Sequence, residues 1–187
     1  AALAYYFISN TLFAYIGAGT DGVKRYFAYC IPPTLTSLGT CSSAATIPLN
    51  LEAANKCGIS NDVRDLCIPL GANLHKDGAC LITILKIAFL CNVLGINFVD
   101  PLIIFKAIVC ATLASMVMGA IPAGGYVGEL FIISLFGFPP ATIPVMVLIG
   151  TITDAPATSI NVTGDLSVSF IVERYVNGKN WLKKVTA

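Results

Sequence analysis

The run from 142 to 172 is apolar over almost its whole length, yet it carries Asp154, Asn161 and Asp165. No other feature restricts the fold so strongly. A helix needs about 20 residues to cross hydrocarbon, so this run is long enough to span a bilayer with carboxylates inside it. An ionised carboxylate at that depth costs at least about 2.5 kcal/mol on the most lenient insertion scale. Asp77 sits in a second apolar run and carries the same cost. Three such charges call for partners, and cations are the natural ones. Asp154, Thr158 and Asn161 are spaced by four and three, and Asn161 and Asp165 by four, so they share one helix face. A structural polar seam between helices would use the same stripe. A ligand and ion path accounts for the acids as well. Asn161-Val162-Thr163 has the form of a glycosylation sequon, but burial in such a run removes it from that role.

Composition agrees. Of 187 residues, 56% are hydrophobic and 11% charged, against about 25% charged in soluble domains. Mean hydropathy is +0.81. The expected fold class is therefore an all-α membrane protein, multi-pass in the inner or plasma membrane of the cell. A net charge of +1 offers no basic field for nucleic acid. The seven cysteines (Cys30, Cys41, Cys57, Cys67, Cys80, Cys91 and Cys110) form no CxxC, and there is one histidine. A zinc site is not expected, and the cysteines read as small buried hydrophobes. The N-terminus lacks the basic start of a signal peptide and opens inside an apolar run, which predicts a piece of a longer chain.

Six segments follow from the breaks in hydrophobicity. Residues 1–18 are a partial transmembrane helix, and 26–51 a hairpin-like segment broken by Pro32-Pro33, Gly39, Ser42-Ser43 and Pro48. Residues 67–98 are a transmembrane helix interrupted by Asn73, His75, Lys76, Asp77 and Gly78. Residues 102–138 are a second broken hairpin with Gly119, Pro122, Gly124 and Gly125 at its middle. Residues 142–174 are the terminal transmembrane helix, and 175–187 a cytoplasmic tail. Helix breakers at membrane depth require a cavity or a protein-lined site for the freed backbone groups. The pattern also repeats: Thr46-Ile47-Pro48 precedes Asp77, and Ala120-Ile121-Pro122 precedes Asp154 at a similar distance. Paired interrupted segments of this kind point to a transporter binding site. Charge sets the orientation. With both ends of the first hairpin inside, Lys24, Arg25, Lys56, Arg64, Arg174, Lys179, Lys183 and Lys184 are cytoplasmic and only Lys106 lies near the outer surface.

Four motifs carry a resemblance: Ser42-Ser43-Ala44-Ala45-Thr46-Ile47-Pro48, Ile68-Pro69-Leu70-Gly71-Ala72-Asn73, Gly119-Ala120-Ile121-Pro122-Ala123-Gly124-Gly125 and Asn161-Val162-Thr163-Gly164-Asp165. In order and spacing the chain resembles the C-terminal half of the dicarboxylate/amino-acid:cation symporter family. The resemblance implies two re-entrant hairpins whose tips meet near the bilayer midplane. It implies an elevator-type transport domain, and a homotrimer formed through N-terminal helices this chain does not contain. It implies a substrate site at Ser42, Ser43, Ile121, Pro122 and Gly124, with Asp154 taking an amino group beside Thr158 and Asn161. It implies sodium sites at Gly71, Asn161 and Asp165, at Asn73, Ser115, Met116 and Met118, and at Asp77.

Three departures bear on the cargo. Ala157 and Cys41 stand where acidic-substrate members of the family have arginines, and Ala79 replaces a threonine that meets the substrate side chain. No arginine remains for a side-chain carboxylate, so a neutral or small-polar amino acid is expected. Dicarboxylate or cystine symport and a substrate-gated channel are the alternatives. The family's Asn-Met-Asp-Gly is here His75-Lys76-Asp77-Gly78. A buried Lys76 ammonium beside Asp77 is expected to take the charge role of one sodium ion, with proton coupling through His75 or Lys76. A Lys76 that faces a water-filled crevice is the alternative. Na+ thus remains the expected coupling ion with fewer sites, and H+ a possible second. Glu129 and Lys86 lie in apolar runs and receive no role. An enzyme is not expected: Asp154 and Asp165 are about 16 Å apart along a helix, too far to act on one bond.

Overall fold

The computed structural model describes residues 2–119 and 124–186, with side chains to residue 184. Among the described residues all regular secondary structure is helical. Helix α1 (Ala2–Tyr29) is kinked at Ala18 and Gly19, where Gly19 has φ 66°. A positive φ there suits a residue without Cβ. Helix α2 (Ile31–Thr40) carries Pro32 and Pro33 in its first turn, where no backbone donor is needed. It stops at Cys41, whose φ of 50° is left-handed. Ser42 then caps α3 (Ser43–Cys57) by accepting from the Ala45 amide at 3.2 Å.

Helices α4 (Asn61–Leu74) and α5 (Asp77–Val93) are separated by His75 and Lys76, both non-helical. Asp100 caps α6 (Pro101–Met118), accepting from the Leu102 amide at 2.8 Å. After α7 (Gly124–Phe136) and a short 3-10 turn (Pro140–Thr142), α8 (Ile143–Asn177) runs on to α9 (Trp181–Thr186).

Helix α8 is the hub. Helices α1 to α5 and α7 all pack on it, while α2 pairs with α3 and α6 with α7. Residues 157–167 of α8 are buried on every side, which is the signature of a core helix. Two apolar clusters flank it, one around Tyr26, Ile68, Leu166 and Phe170, the other around Ile87, Leu90, Ile132 and Met146. The Trp181 indole of α9 belongs to the first cluster and donates to the Gly17 carbonyl, 3.1 Å away at the α1 kink.

The outside is apolar too. Leu102 and Phe105 on α6, Leu148 and Ile152 on α8, and Leu3 and Ile8 on α1 are exposed. Surface of that kind requires lipid or protein against it. Two stretches, Pro101–Met118 and Pro140–Asn177, are long and apolar enough to cross a membrane. The cysteines correct the sequence expectation in part. Cys30, Cys57, Cys91 and Cys110 are buried, but Cys67 and Cys80 are only half-buried and Cys41 is exposed. Cys41 occupies the bend between two helices and is exposed among the described residues.

Candidate functional site

One cavity of about 670 Å³ opens where the α2–α3 bend, the start of α5, the α6–α7 pair and the middle of α8 meet. Ser42, Ser43, Gly124, Asp154, Thr158 and Asn161 all line it, so the structure gathers six of the eight residues expected to bind substrate. Ile121 and Pro122 lie outside the described residues. Ser42 presents the N-terminus of α3, a position with free backbone donors. Pro48 further removes the helix donor to the Ala44 carbonyl, which is also on the cavity wall.

Asp154 departs from the expectation of a buried acid, being exposed to the cavity. Its charge is open to water or a ligand and needs no protein cation. Thr158 Oγ1 donates to Asp154 Oδ1 at 3.2 Å, which realises the stripe read from the spacing. Asn161 Oδ1 accepts from the amides of Gly78 (2.8 Å) and Ala79 (3.3 Å). It therefore satisfies the first turn of α5, and the group it has left to offer is its amide NH2.

Lys76 does not stand beside Asp77 as expected; it takes the alternative and faces a cavity. Its Nζ donates to Ser43 Oγ at 3.0 Å, and the side chain lines the cavity. The side chain that approaches Asp77 is the His75 imidazole instead. His75 Nδ1 lies 3.1 Å from Asp165 Oδ1, and Nε2 lies 4.0 Å from Asp77 Oδ2. The ring thus stands between the two acids, over Gly164, where a Cβ would come within 2.6 Å of it.

The expected cation ligands fall into separate groups. Gly71 and Asp165 are together: a Cβ on Gly71 would collide with the carboxylate, so only glycine admits it. Asp77 Oδ2 is buried without a hydrogen-bond partner among the described residues. Tyr5 of α1 also approaches Asp77. Ser115 is buried, donating to the Thr112 carbonyl at 2.8 Å and accepting from Cys80 Sγ at 3.0 Å. The Met118 side chain packs over Gly128. Asn73 is exposed, with Nδ2 on the Pro69 carbonyl at 3.0 Å. Among the described residues no three His, Cys, Asp or Glu side chains are grouped to grip a metal ion. The unpartnered Asp77 oxygen nevertheless suits a cation that also draws on backbone carbonyls, as hard ions do.

Two further sets escaped the sequence reading. Asn10 Nδ2 donates to Thr163 Oγ1 (3.3 Å), Ser167 Oγ donates to Asn10 Oδ1 (2.7 Å), and Asn50 Nδ2 donates to the Val162 carbonyl (2.8 Å). These bonds from α1 and α3 lock the stretch around Asp165. Polar residues inside apolar runs were the available signal. The second set is Lys86 and Glu129, an ion pair of 2.8 Å on the cavity wall.

The sequence pattern of the sodium:dicarboxylate symporter family matches residues 1–175. The chain belongs to this family. Neutral amino acid transporter B(0) of Rattus norvegicus is 29% identical over 154 residues, 82% of this chain and 28% of the relative. Excitatory amino acid transporter 2 of Homo sapiens is 33% identical over 141 residues, 75% of this chain and 24% of the relative. Neutral amino acid transporter A of Homo sapiens is 28% identical over 142 residues, 75% of this chain and 26% of the relative. The chain thus spans about a quarter of the length of the curated relatives it matches. For a sodium:dicarboxylate symporter family member, acids within apolar helices and a polar cavity in an apolar body have a common purpose. Its relatives are transporters by name.

Proposed function

We propose that the protein carrying this chain is a secondary active transporter that couples movement of a neutral, zwitterionic amino acid to a cation. One observation carries the reading: the same cavity holds the open Asp154 carboxylate and the Lys76 ammonium on Ser43. A zwitterion matches both. Its ammonium goes to Asp154, oriented by the Thr158 hydroxyl. Its carboxylate goes to the Ser42-Ser43 bend, where backbone donors and Lys76 face it. An acidic amino acid would bring two carboxylates to a cavity whose described lysines are Lys76 and Lys86, and Lys86 is committed to Glu129. With Ala157 and Cys41 uncharged, the second carboxylate has no partner. The α2–α3 and α6–α7 pairs act as the two re-entrant hairpins, with Gly124 near the second tip, and the unit moves as an elevator.

Sodium is the coupling ion implied by the family. Asp77, Asp165 and the Gly71 and Asn161 carbonyls are the residues to hold it, with Ser115, Asn73 and Met118 near a further site. When bound, sodium supplies the positive charge that two buried carboxylates lack. A proton carried by His75, whose Nδ1 lies 3.1 Å from Asp165 Oδ1, supplies part of that charge in this reading, so fewer sodium ions are needed and the proton takes the place of one.

Uptake into proteoliposomes tests this. Serine and alanine should accumulate against their gradients when sodium is imposed, and an imposed pH gradient should add to the rate. Ohmic current without accumulation would instead support a channel. Micromolar aspartate uptake with none of serine, alanine or cystine would overturn the substrate assignment. Full sodium dependence with no pH response would sink the proton role.

A further inference from the structure

Lys86 of α5 and Glu129 of α7 are the least expected residues on the cavity wall. Their side chains are only 5% and 4% exposed, and Nζ lies 2.8 Å from Oε1. Ionisable pairs at such depth in an apolar body are rare and mark function. The pair is also built around. A Cβ on Gly150 would collide with Glu129 Oε1 and come within 2.9 Å of Lys86 Nζ, so α8 leaves a notch for it. Gly150 precedes Asp154 by four residues, one helical turn and about 6 Å along the axis. Both positions line the same cavity. An amino acid whose ammonium rests on Asp154 has this wall within the same cavity as its side chain.

We propose that Lys86 and Glu129 form a second subsite, which receives the far end of the substrate side chain. The subsite selects uncharged side chains that end in a group able both to donate and to accept hydrogen bonds, a carboxamide or a hydroxyl. This rests on the amino-acid symport reading above and narrows its substrate class. An ammonium has three donors and a carboxylate about four acceptor positions, so the bond between them leaves both capacities available to the cavity. A carboxamide or hydroxyl completes both without disturbing the pair. A side-chain carboxylate would draw Lys86 away and leave Glu129 buried and uncompensated. A side-chain ammonium would do the reverse to Lys86. An apolar end would leave the capacities unfilled. The same pair thus refuses both signs of charge and disfavours hydrocarbon.

The test uses the full-length protein in proteoliposomes, with labelled glutamine, serine, leucine, glutamate and lysine as probes. The unaltered protein should favour glutamine and serine over leucine by tenfold or more in kcat/KM. In Lys86→Met/Glu129→Met the ratio should shift toward leucine by at least tenfold. Apolar replacement of a whole buried pair is often tolerated by the fold. Glu129→Gln frees Lys86, and should gain measurable glutamate uptake. A reversed pair, Lys86→Glu/Glu129→Lys, should keep the preference for glutamine over leucine. Unchanged selectivity in active Lys86→Met/Glu129→Met would overturn the subsite and leave the pair as a tie between α5 and α7. If that variant does not fold, Glu129→Gln decides: no glutamate uptake with an unaltered glutamine-to-leucine ratio overturns the subsite. An unaltered protein that prefers leucine overturns it directly. Absence of any amino-acid uptake by the unaltered protein overturns the parent reading, and is thereby told apart from failure of the subsite alone.

Discussion

His75 and Lys76 are neighbours in the chain and meet different partners. Their backbones are non-helical, with φ and ψ of −90° and 96° at His75 and −127° and 49° at Lys76. Successive side chains on a non-helical, extended stretch point to opposite sides. His75 therefore meets Asp165, while Lys76 reaches Ser43 on the other side of the break. A helical register through the same residues gives no such separation, which is why Lys76 is expected beside Asp77 from sequence alone. Two outcomes follow at this scale. Lys76→Met should raise the half-saturating substrate concentration by about tenfold or more, since a hydrogen bond to a charged group is worth about 1.5–3 kcal/mol. It should leave the sodium requirement in place. Asp154→Asn should raise it about tenfold or more, because a hydrogen bond to a charged group is worth about 1.5–3 kcal/mol. Titrating uptake against substrate and against sodium checks both. A Lys76→Met protein with altered sodium dependence and unchanged substrate affinity would return Lys76 to the cation site.

Among the elements, α8 organises the rest. It is buried all round over 157–167, and glycines on its neighbours let it come close. Gly71 of α4 admits Asp165, and Gly78 of α5 sits against the Ala157 carbonyl. Gly71→Ala should lower thermal stability by an amount equivalent to about 1–3 kcal/mol, the range for overpacking. It should also weaken sodium-dependent stabilisation, because the Cβ displaces the carboxylate. Gly39→Ala, with no atom within 4 Å of the added Cβ, is the control, and should be neutral or slightly stabilising in its helix. Thermal unfolding of the purified protein with and without sodium reads both. Equal melting of Gly71→Ala and the unaltered chain would argue against the close α4–α8 approach.

For the whole molecule, the exposed bend at Cys41 reports on the cavity. Cys41 lines it and is the one cysteine in the exposed class, the other six being buried or half-buried. A small polar thiol reagent should inactivate uptake through Cys41. Cys41→Ser should remove that sensitivity, and saturating substrate should slow the reaction. Inactivation that persists in Cys41→Ser would place the reactive thiol elsewhere, at half-buried Cys67 or Cys80.

Hydrophobic runs, their breakers and the spacing of Asp154, Thr158, Asn161 and Asp165 were enough to establish an all-helical chain with a polar stripe. Periodicity and composition are local properties, and they survive without knowledge of what packs where. Family membership was legible for the same reason, through short motifs of fixed order. Three matters waited for tertiary structure. Asp154 is open and Asp165 closed, which depends on whether other helices cover that turn of α8. Lys76 faces the cavity and His75 the acids, which depends on the backbone path between α4 and α5. Lys86 and Glu129, 43 residues apart, become one group only when α5 and α7 meet over Gly150. Burial, pairing and the direction of a side chain outside a helix are set by contacts between distant segments, and sequence spacing carries no information about those.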